Sequence, residues 1–337
     1  MPCLQIRLLL AILPLAPAGL TLDASEIVEV TDKSGLLAHY SMVVDVKGRA
    51  GSKTKQVFGT MYWNLAGRYL RFEPDPENPL RKRNGVAFTD SDYTRLAEIL
   101  QDRDSLLGHH SLGWLGQPDG ADPAPDGISG ATPKTLQRTV VKDAAWTTWV
   151  LWQHANVAYK EELQQMTAKR ASSLLGTRLL NSPDMSECGF GLKLMTEQQV
   201  PGDDYLDLVL GALERGDNEI IRSAIGYLDN SVQDRQELNS RLADSCARMN
   251  TGYVPMVVRY LAKQPELSTE ALENLSGSLQ RLPTVSVRMI LELLEDRGCY
   301  SEQVLNNVTV IKETGSSNIA HLAETFLDAH NEGVETP

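Results

Sequence analysis

The chain has 337 residues and a mass of 37.2 kDa, enough for about two domains of ordinary size. With 42% hydrophobic and 23% charged residues, 25 Gly and 16 Pro, its composition is that of a folding chain and lies away from the collagenous, low-complexity and disordered classes. A formal net charge of -12 argues against a nucleic-acid binder, which needs a basic surface to replace phosphate counterions, and against anionic membrane surfaces for the same reason.

Residues 1–24 carry one Arg, an apolar run from Leu8 to Leu15, and small residues at Ala16-Pro17-Ala18 and Ala24. These are the parts of a secretory signal peptide, with cleavage expected after Ala18 or Ala24 and export, most simply to a periplasm. The alternative is a buried N-terminal helix, which Pro14 and Pro17 would break within two turns. No Cys follows the apolar core, so a lipoprotein anchor is not expected. No other apolar stretch reaches the length of a membrane span, so no transmembrane segment is expected after cleavage.

From Glu26 to Phe72 the pattern is that of strands. Tyr40–Lys47 alternates, Gln56–Trp63 follows, and Arg68–Phe72 is a third run, which together predict a small antiparallel sheet ended by Pro74, Pro76 and Pro79. Tyr93, Leu96, Leu100 and Leu107 then fall at helical spacing, which predicts a helix over 91–107 capped by Asp90 or Ser91. Residues 108–133 read as a long loop, of the kind that is either functional or disordered. Pro133 suits a first helical position, and Leu136, Val140, Ala144, Thr148, Leu151 and Ala155 predict one helix from there to about His154.

Beyond that the pattern is helical throughout. Helical segments are expected near 158–175, 186–199, 203–215, 217–229, 231–249, 253–264, 268–282, 284–297, 301–313 and 317–330. Breakers such as Pro201-Gly202, Gly216, Pro265, Pro283, Gly298 and Gly315 leave only short links, so successive helices should be antiparallel neighbours. The stretches starting at Arg215, Gln264 and Arg297 share a turn, a polar cap and an apolar stripe. This resembles the HEAT-like class of α-solenoids, with an irregular helical bundle as the alternative. Charge divides the chain in the same way: residues 25–155 hold 15 Lys+Arg against 16 Asp+Glu, and residues 156–337 hold 16 against 27.

Cysteine and histidine point to little chemistry. Cys3 leaves with the signal, and Cys188, Cys246 and Cys299 allow at most one disulfide and read as buried thiols. There is no CxxC and no HExxH, and His109-His110 is isolated.

One stretch stands above this background: Asp126-Gly127-Ile128-Ser129-Gly130-Ala131-Thr132. It resembles the D-G-x-S-G-A-T sequence of bacterial FMN-binding domains, in which an FMN transferase esterifies the flavin's terminal phosphate onto the last Thr. At roughly one in fifteen for each of six fixed positions, a chance match in this chain is of order a few in a hundred thousand. The resemblance implies covalent FMN on Thr132, with Asp126 helping the transferase and Ser129 bonding the phosphate or the turn. Gly127, Gly130 and Ala131 complete the cofactor-binding set. Glycines let the backbone approach a bulky nucleotide, and a helix opening at Pro133 would turn unpaired N–H groups toward the phosphate. The bland reading is a Thr N-cap before Pro133 and an Asp-Gly turn, which explains the two ends of the motif but not the whole register. The chain departs from the family pattern in having Pro133-Lys134-Thr135 after the acceptor and no Gly-Tyr-Gly-Gly opening in the sheet.

Trp146, Trp149 and Trp152 recur every three residues, and Tyr62 and Trp63 lie on a strand. Such rings would stack on a flavin, or would form core at a seam between sheet and helical array. Arg81-Lys82-Arg83 would pair with a phosphate or an acidic partner, or would be a solvated turn.

The expected fold class is therefore α+β: a signal at 1–24, an FMN-binding-domain-like unit of small antiparallel sheet and helices at 25–157, an all-α HEAT-like solenoid at 158–330, and a disordered tail at 331–337. The expected function is a secreted flavoprotein in electron transfer, matured by an FMN transferase, with unidentified redox partner proteins, no nucleic acid and no metal. The alternative is a non-flavinylated interaction or assembly protein whose acidic helical array is the binding surface. A hydrolase using Ser129 is disfavoured, because no G-x-S-x-G elbow is present.

Overall fold

The structure is a computed structural model that describes residues 21–22, 26–47, 56–109 and 138–335. These divide into two units, one ending at Ala171 and the other starting at Ser172.

The first unit is built on an antiparallel sheet of strands β1 (Thr21–Leu22), β2 (Ile27–Thr31), β3 (Leu37–Lys47), β4 (Gln56–Trp63) and β5 (Tyr69–Pro74). Strands β1 and β2 share one side of β3, where Leu22 faces Val46 and Ile27 faces Met42, while β4 takes the other side from Tyr40↔Trp63 to Lys47↔Gln56. Strict alternation makes this register unambiguous. Tyr40, Met42, Val44 and Val46 on β3, with Val57, Met61 and Trp63 on β4, are buried on one face, and a shift by one residue would turn all of them to the other. Gly59 interrupts the apolar row for a steric reason: a Cβ there would lie 2.5 Å from the Phe72 ring and from the Glu73 carbonyl oxygen. The turn into β5 is held by the Asn64 side chain, whose Oδ1 accepts from the N–H groups of Ala66 and Arg68, and by Gly67 at φ +74°.

Helices cover the buried face. Helix α1 (Asp90–Gln101) is followed by a 3-10 turn (Leu106–His109); α2 (Ala145–Gln153) runs into a π turn (His154–Ala158) and then α3 (Lys160–Lys169). Three differences from the sequence reading have local causes. Thr89, not Asp90 or Ser91, caps α1, because it forms a reciprocal capping box with Asp92, and the helix stops at Gln101 rather than 107. Residues 138–144 form turns instead of continuing a helix from Pro133: Asp143 takes φ +60°, and the Val141 N–H donates to Thr148 Oγ1 at 3.1 Å, so the helix starts at Ala145. The unit also extends past the expected end at 157. Helix α3 is bound to the sheet through Thr167, which meets the Tyr40 hydroxyl at 2.7 Å and donates to the Leu65 carbonyl at 2.7 Å, and through Gln164, which donates to Ala66.

The second unit is all helix: α4 (Ser173–Asn181), α5 (Met185–Glu197), α6 (Leu206–Arg215), α7 (Asn218–Ser231), α8 (Arg235–Ser245), α9 (Val254–Ala262), α10 (Thr269–Gly277), α11 (Thr284–Asp296), α12 (Glu302–Thr314) and α13 (Ser317–Glu335). The stretch 158–175 expected as one helix is thus two, parted where Ser172 caps α4 by accepting from the Leu175 N–H. Helix α13 runs through Glu335, where a tail from 331 was expected.

The two helices of each pair (α4 with α5, α6 with α7, and so on) pack on each other, and each helix packs on the next but one, so α4, α6, α8, α10 and α12 form one layer and α5, α7, α9, α11 and α13 the other. The repeating step is 33 residues. Val209, Leu242, Leu275 and Val308 make one fully buried column at that spacing, and Ala224, Val257, Ile290 and Ala323 make another. A step this regular means that each pair presents the same apolar stripe to its neighbours and buries little of it alone. The three stretches whose likeness suggested repeats do not share a phase: Arg215 leads into α7 of one layer, whereas Gln264 and Arg297 lead into α10 and α12 of the other.

Candidate functional site

Asp126, Gly127, Ser129, Gly130, Ala131 and Thr132 lie outside the described residues, as does Pro133. What is described is the ground on either side. Before the segment, the Leu107 carbonyl accepts from Gln153 Nε2 at 3.1 Å, and the Asp102 carbonyl accepts from the Trp152 indole N–H at 2.8 Å. Gly108 lies against the Trp152 ring, where a Cβ would come within 2.9 Å of Cη2. After the segment, the Arg138 carbonyl accepts from the Arg95 guanidinium of α1. Both flanks are therefore tied to the same pair of packed helices, α1 and α2.

The aromatic residues are core for the most part. Trp63, Trp149 and Trp152 are buried, and the Trp63 indole N–H donates to the Ala155 carbonyl at 3.0 Å. Rings closed in this way have no free face for a flavin, so the stacking role is withdrawn for these three. Trp63 and Trp152 are tied within the first unit, the one to Ala155 and the other to Asp102. Trp146, in the first turn of α2, is half-buried. Tyr62 is on the open sheet face but already engaged: the Arg71 guanidinium sits 3.7 Å from its ring centroid, and its hydroxyl donates to Glu73 at 2.7 Å.

Arg81-Lys82-Arg83 is a turn of local purpose. Arg81 donates to the Gly85 carbonyl, Gly85 takes φ +80°, and Lys82 pairs with Asp92 at 2.8 Å. Sequence reasoning gave no sign of the cluster around the π turn. His154 is buried, its Nδ1 lies 2.9 Å from the Val150 carbonyl, and its ring meets Tyr159, which in turn meets Trp63 edge-on. Since that carbonyl can only accept, Nδ1 carries the proton, and burial lowers the His154 pKa below its ordinary value, so the ring is neutral at pH 7. Burial pushes the Tyr159 phenol up to about 12.

Cys188, Cys246 and Cys299 are free and buried, and burial raises all three thiols. Among the described residues no group of three His, Cys, Asp or Glu side chains is placed to hold a metal ion, and none of the described helices is long and apolar enough to cross a membrane. No family model, no curated protein and no solved structure matches this chain.

Proposed function

We propose that this chain is an exported flavoprotein that carries FMN as a phosphoester on Thr132 and passes electrons between partner proteins. The observation that carries the reading is the seven-residue run Asp126–Thr132, which keeps six positions of a flavinylation motif in register. Support comes from its setting in an α+β unit, between flanks anchored on α1 and α2. The Thr132 hydroxyl would form the ester, and Gly127 and Gly130 would let the main chain close on the phosphate. The flavin supplies the redox chemistry, and the chain supplies attachment and orientation. Trp146 is the ring of the Trp series left for contact with the isoalloxazine.

In this reading the second unit is a HEAT-like solenoid that docks redox partners. Its 33-residue step and two layers support a repeat architecture, and such arrays present extended binding surfaces. The second reading, an assembly protein without flavin, draws on the same unit. Residues 172–337 hold 13 Lys+Arg against 25 Asp+Glu, which accounts for the whole net charge of -12.

Intact mass of the full chain, exported from a host that also expresses an FMN transferase, separates the two. Added mass equal to FMN less water, mapped to Thr132 and absent in Thr132→Val, is the expected result. An unmodified Thr132, under conditions that modify a positive-control domain, would overturn the flavoprotein reading and leave the helical array as the functional part. N-terminal sequencing of the exported chain tests the cleavage after Ala18 or Ala24.

A further inference from the structure

Four interfaces join the five helix pairs of the second unit, and one is built differently. Between the first and second pairs, the Tyr227 hydroxyl donates to the Val200 carbonyl at 3.1 Å and Arg215 donates to the Leu180 carbonyl. Between the third and fourth, Arg281 donates to the carbonyls of Cys246 and Met249, Arg297 to those of Pro265 and Gln264, and Asn274 to Ser240. Between the fourth and fifth, Asn307 Nδ2 donates to Ser276 Oγ at 2.8 Å. These arginines and asparagines close one pair on the backbone and hydroxyls of its neighbour.

The interface between the second pair (α6, α7) and the third (α8, α9) has one such link, from Arg235 to the Asp229 carbonyl, and that arginine is exposed to solvent. It is the most sparsely packed of the four. Arg248 stands one 33-residue step from both Arg215 and Arg281, but it turns outward to Glu214 and Asp244 instead of a helix terminus. Asn239 occupies the step filled by Leu206, Leu272 and Leu305 in the second, fourth and fifth pairs, and its buried Oδ1 has no hydrogen-bond partner. The side-chain to side-chain links that cross here are Arg241 to Asp207, Arg248 to Glu214, and the Tyr260 hydroxyl to Asp229 at 2.8 Å, with Arg235 also on the Asp229 carboxylate. The arginines of these pairs are 39–50% exposed, so water and salt reach them.

We propose that the helical unit contains a hinge between its second and third helix pairs, held closed by solvent-exposed ion pairs and released by ionic strength. An interface with thin packing, one orphaned polar atom and screenable clasps is the place where a stack of this kind opens first. Partner charges that compete for Asp207, Glu214 or Asp229 would act as salt does.

Hydrogen exchange of the full chain at about 20 mM and about 500 mM NaCl tests this, because the Debye length falls severalfold over that range. Amides of residues 206–249 are expected to exchange about threefold faster or more at high salt, with little change over 269–314. Asn239→Leu, which restores the leucine of the second, fourth and fifth pairs, should suppress the rise. Arg241→Ala combined with Arg248→Ala, both at the surface, should reproduce the high-salt pattern at low salt. A uniform response along the unit, or a double variant indistinguishable from the parent at low salt, would overturn the hinge.

Discussion

The hydroxyls of Tyr40 and Thr167 lie 2.7 Å apart in the core of the first unit, and Thr167 passes its own proton to the Leu65 carbonyl. Tyr40 therefore donates to Thr167, and one strand, one turn and α3 meet at a single threonine oxygen. Replacing Thr167 with Val keeps the shape but leaves the fully buried Tyr40 hydroxyl without its acceptor. The expected loss is about 1–3 kcal/mol in urea unfolding, whereas Thr167→Ser, which keeps the oxygen, should cost less.

Acid should weaken the first unit at Asp92. Partial burial by itself raises this carboxyl, but the Lys82 ammonium at 2.8 Å and the Thr89 N–H and hydroxyl outweigh it and hold it below the ordinary value. A carboxyl whose folded pKa is depressed contributes stability in full above its unfolded pKa of about 3.9, and loses it as pH falls through the lower folded value. Asp92→Asn should therefore lower stability at pH 7 and flatten that part of the acid limb. Chemical unfolding from pH 7 to about pH 2.5 reads both effects.

Gly108 is predicted to tolerate no side chain. A Cβ would press on the Trp152 ring, whose N–H is fixed on Asp102, so the ring cannot give way without losing that bond. Gly108→Ala should cost about 1–3 kcal/mol, the usual range for overpacking, and alter Trp fluorescence of the native state. Unchanged stability would mean that the turn at Leu106–His109 yields instead.

The three thiols should be silent in the folded chain. Burial pushes Cys246 up to about 12, and raises Cys188 and Cys299 above their ordinary values as well. Only thiolates alkylate at useful rates, so maleimide labelling of the native protein at pH 7 should leave these three unmodified and label all of them in urea. Rapid native labelling of Cys246 would show that α8 opens far more readily than its packing implies.

Much of this architecture is legible in the residues themselves, and the illegible parts have definable causes. Strands β3 and β4 can be read because Tyr40, Met42, Val44 and Val46 fall at every second position, with Ser41, Val43 and Asp45 between them turned to the other face. The start of α2 cannot. Lys142 and Asp143 suit a helix by composition, but the left-handed Asp143 and the bond from the Val141 N–H to Thr148, seven positions on, are decided by tertiary placement. The division at Ala171 is hidden for a similar reason: Thr167 reads as an ordinary helical residue until its oxygen is seen between Tyr40 and Leu65. The 33-residue step escapes notice because both helices of each pair begin with a turn, a cap and a stripe, so half-steps look alike. Asp126–Thr132 is the reverse case, a string that carries a chemical expectation and lies outside the described residues.

The constant step of the helical unit makes changes in its length discrete. Losing or duplicating 33 residues would join one pair to another with both layers still in alternation, and columns such as Val209, Leu242, Leu275 and Val308 would close over the splice. A half-step increment would set an α6-type helix where an α7-type helix belongs and expose its stripe. Descendants of such a chain are expected to differ in this half by whole pairs, so that reach along the surface varies in quanta while the cross-section stays the same.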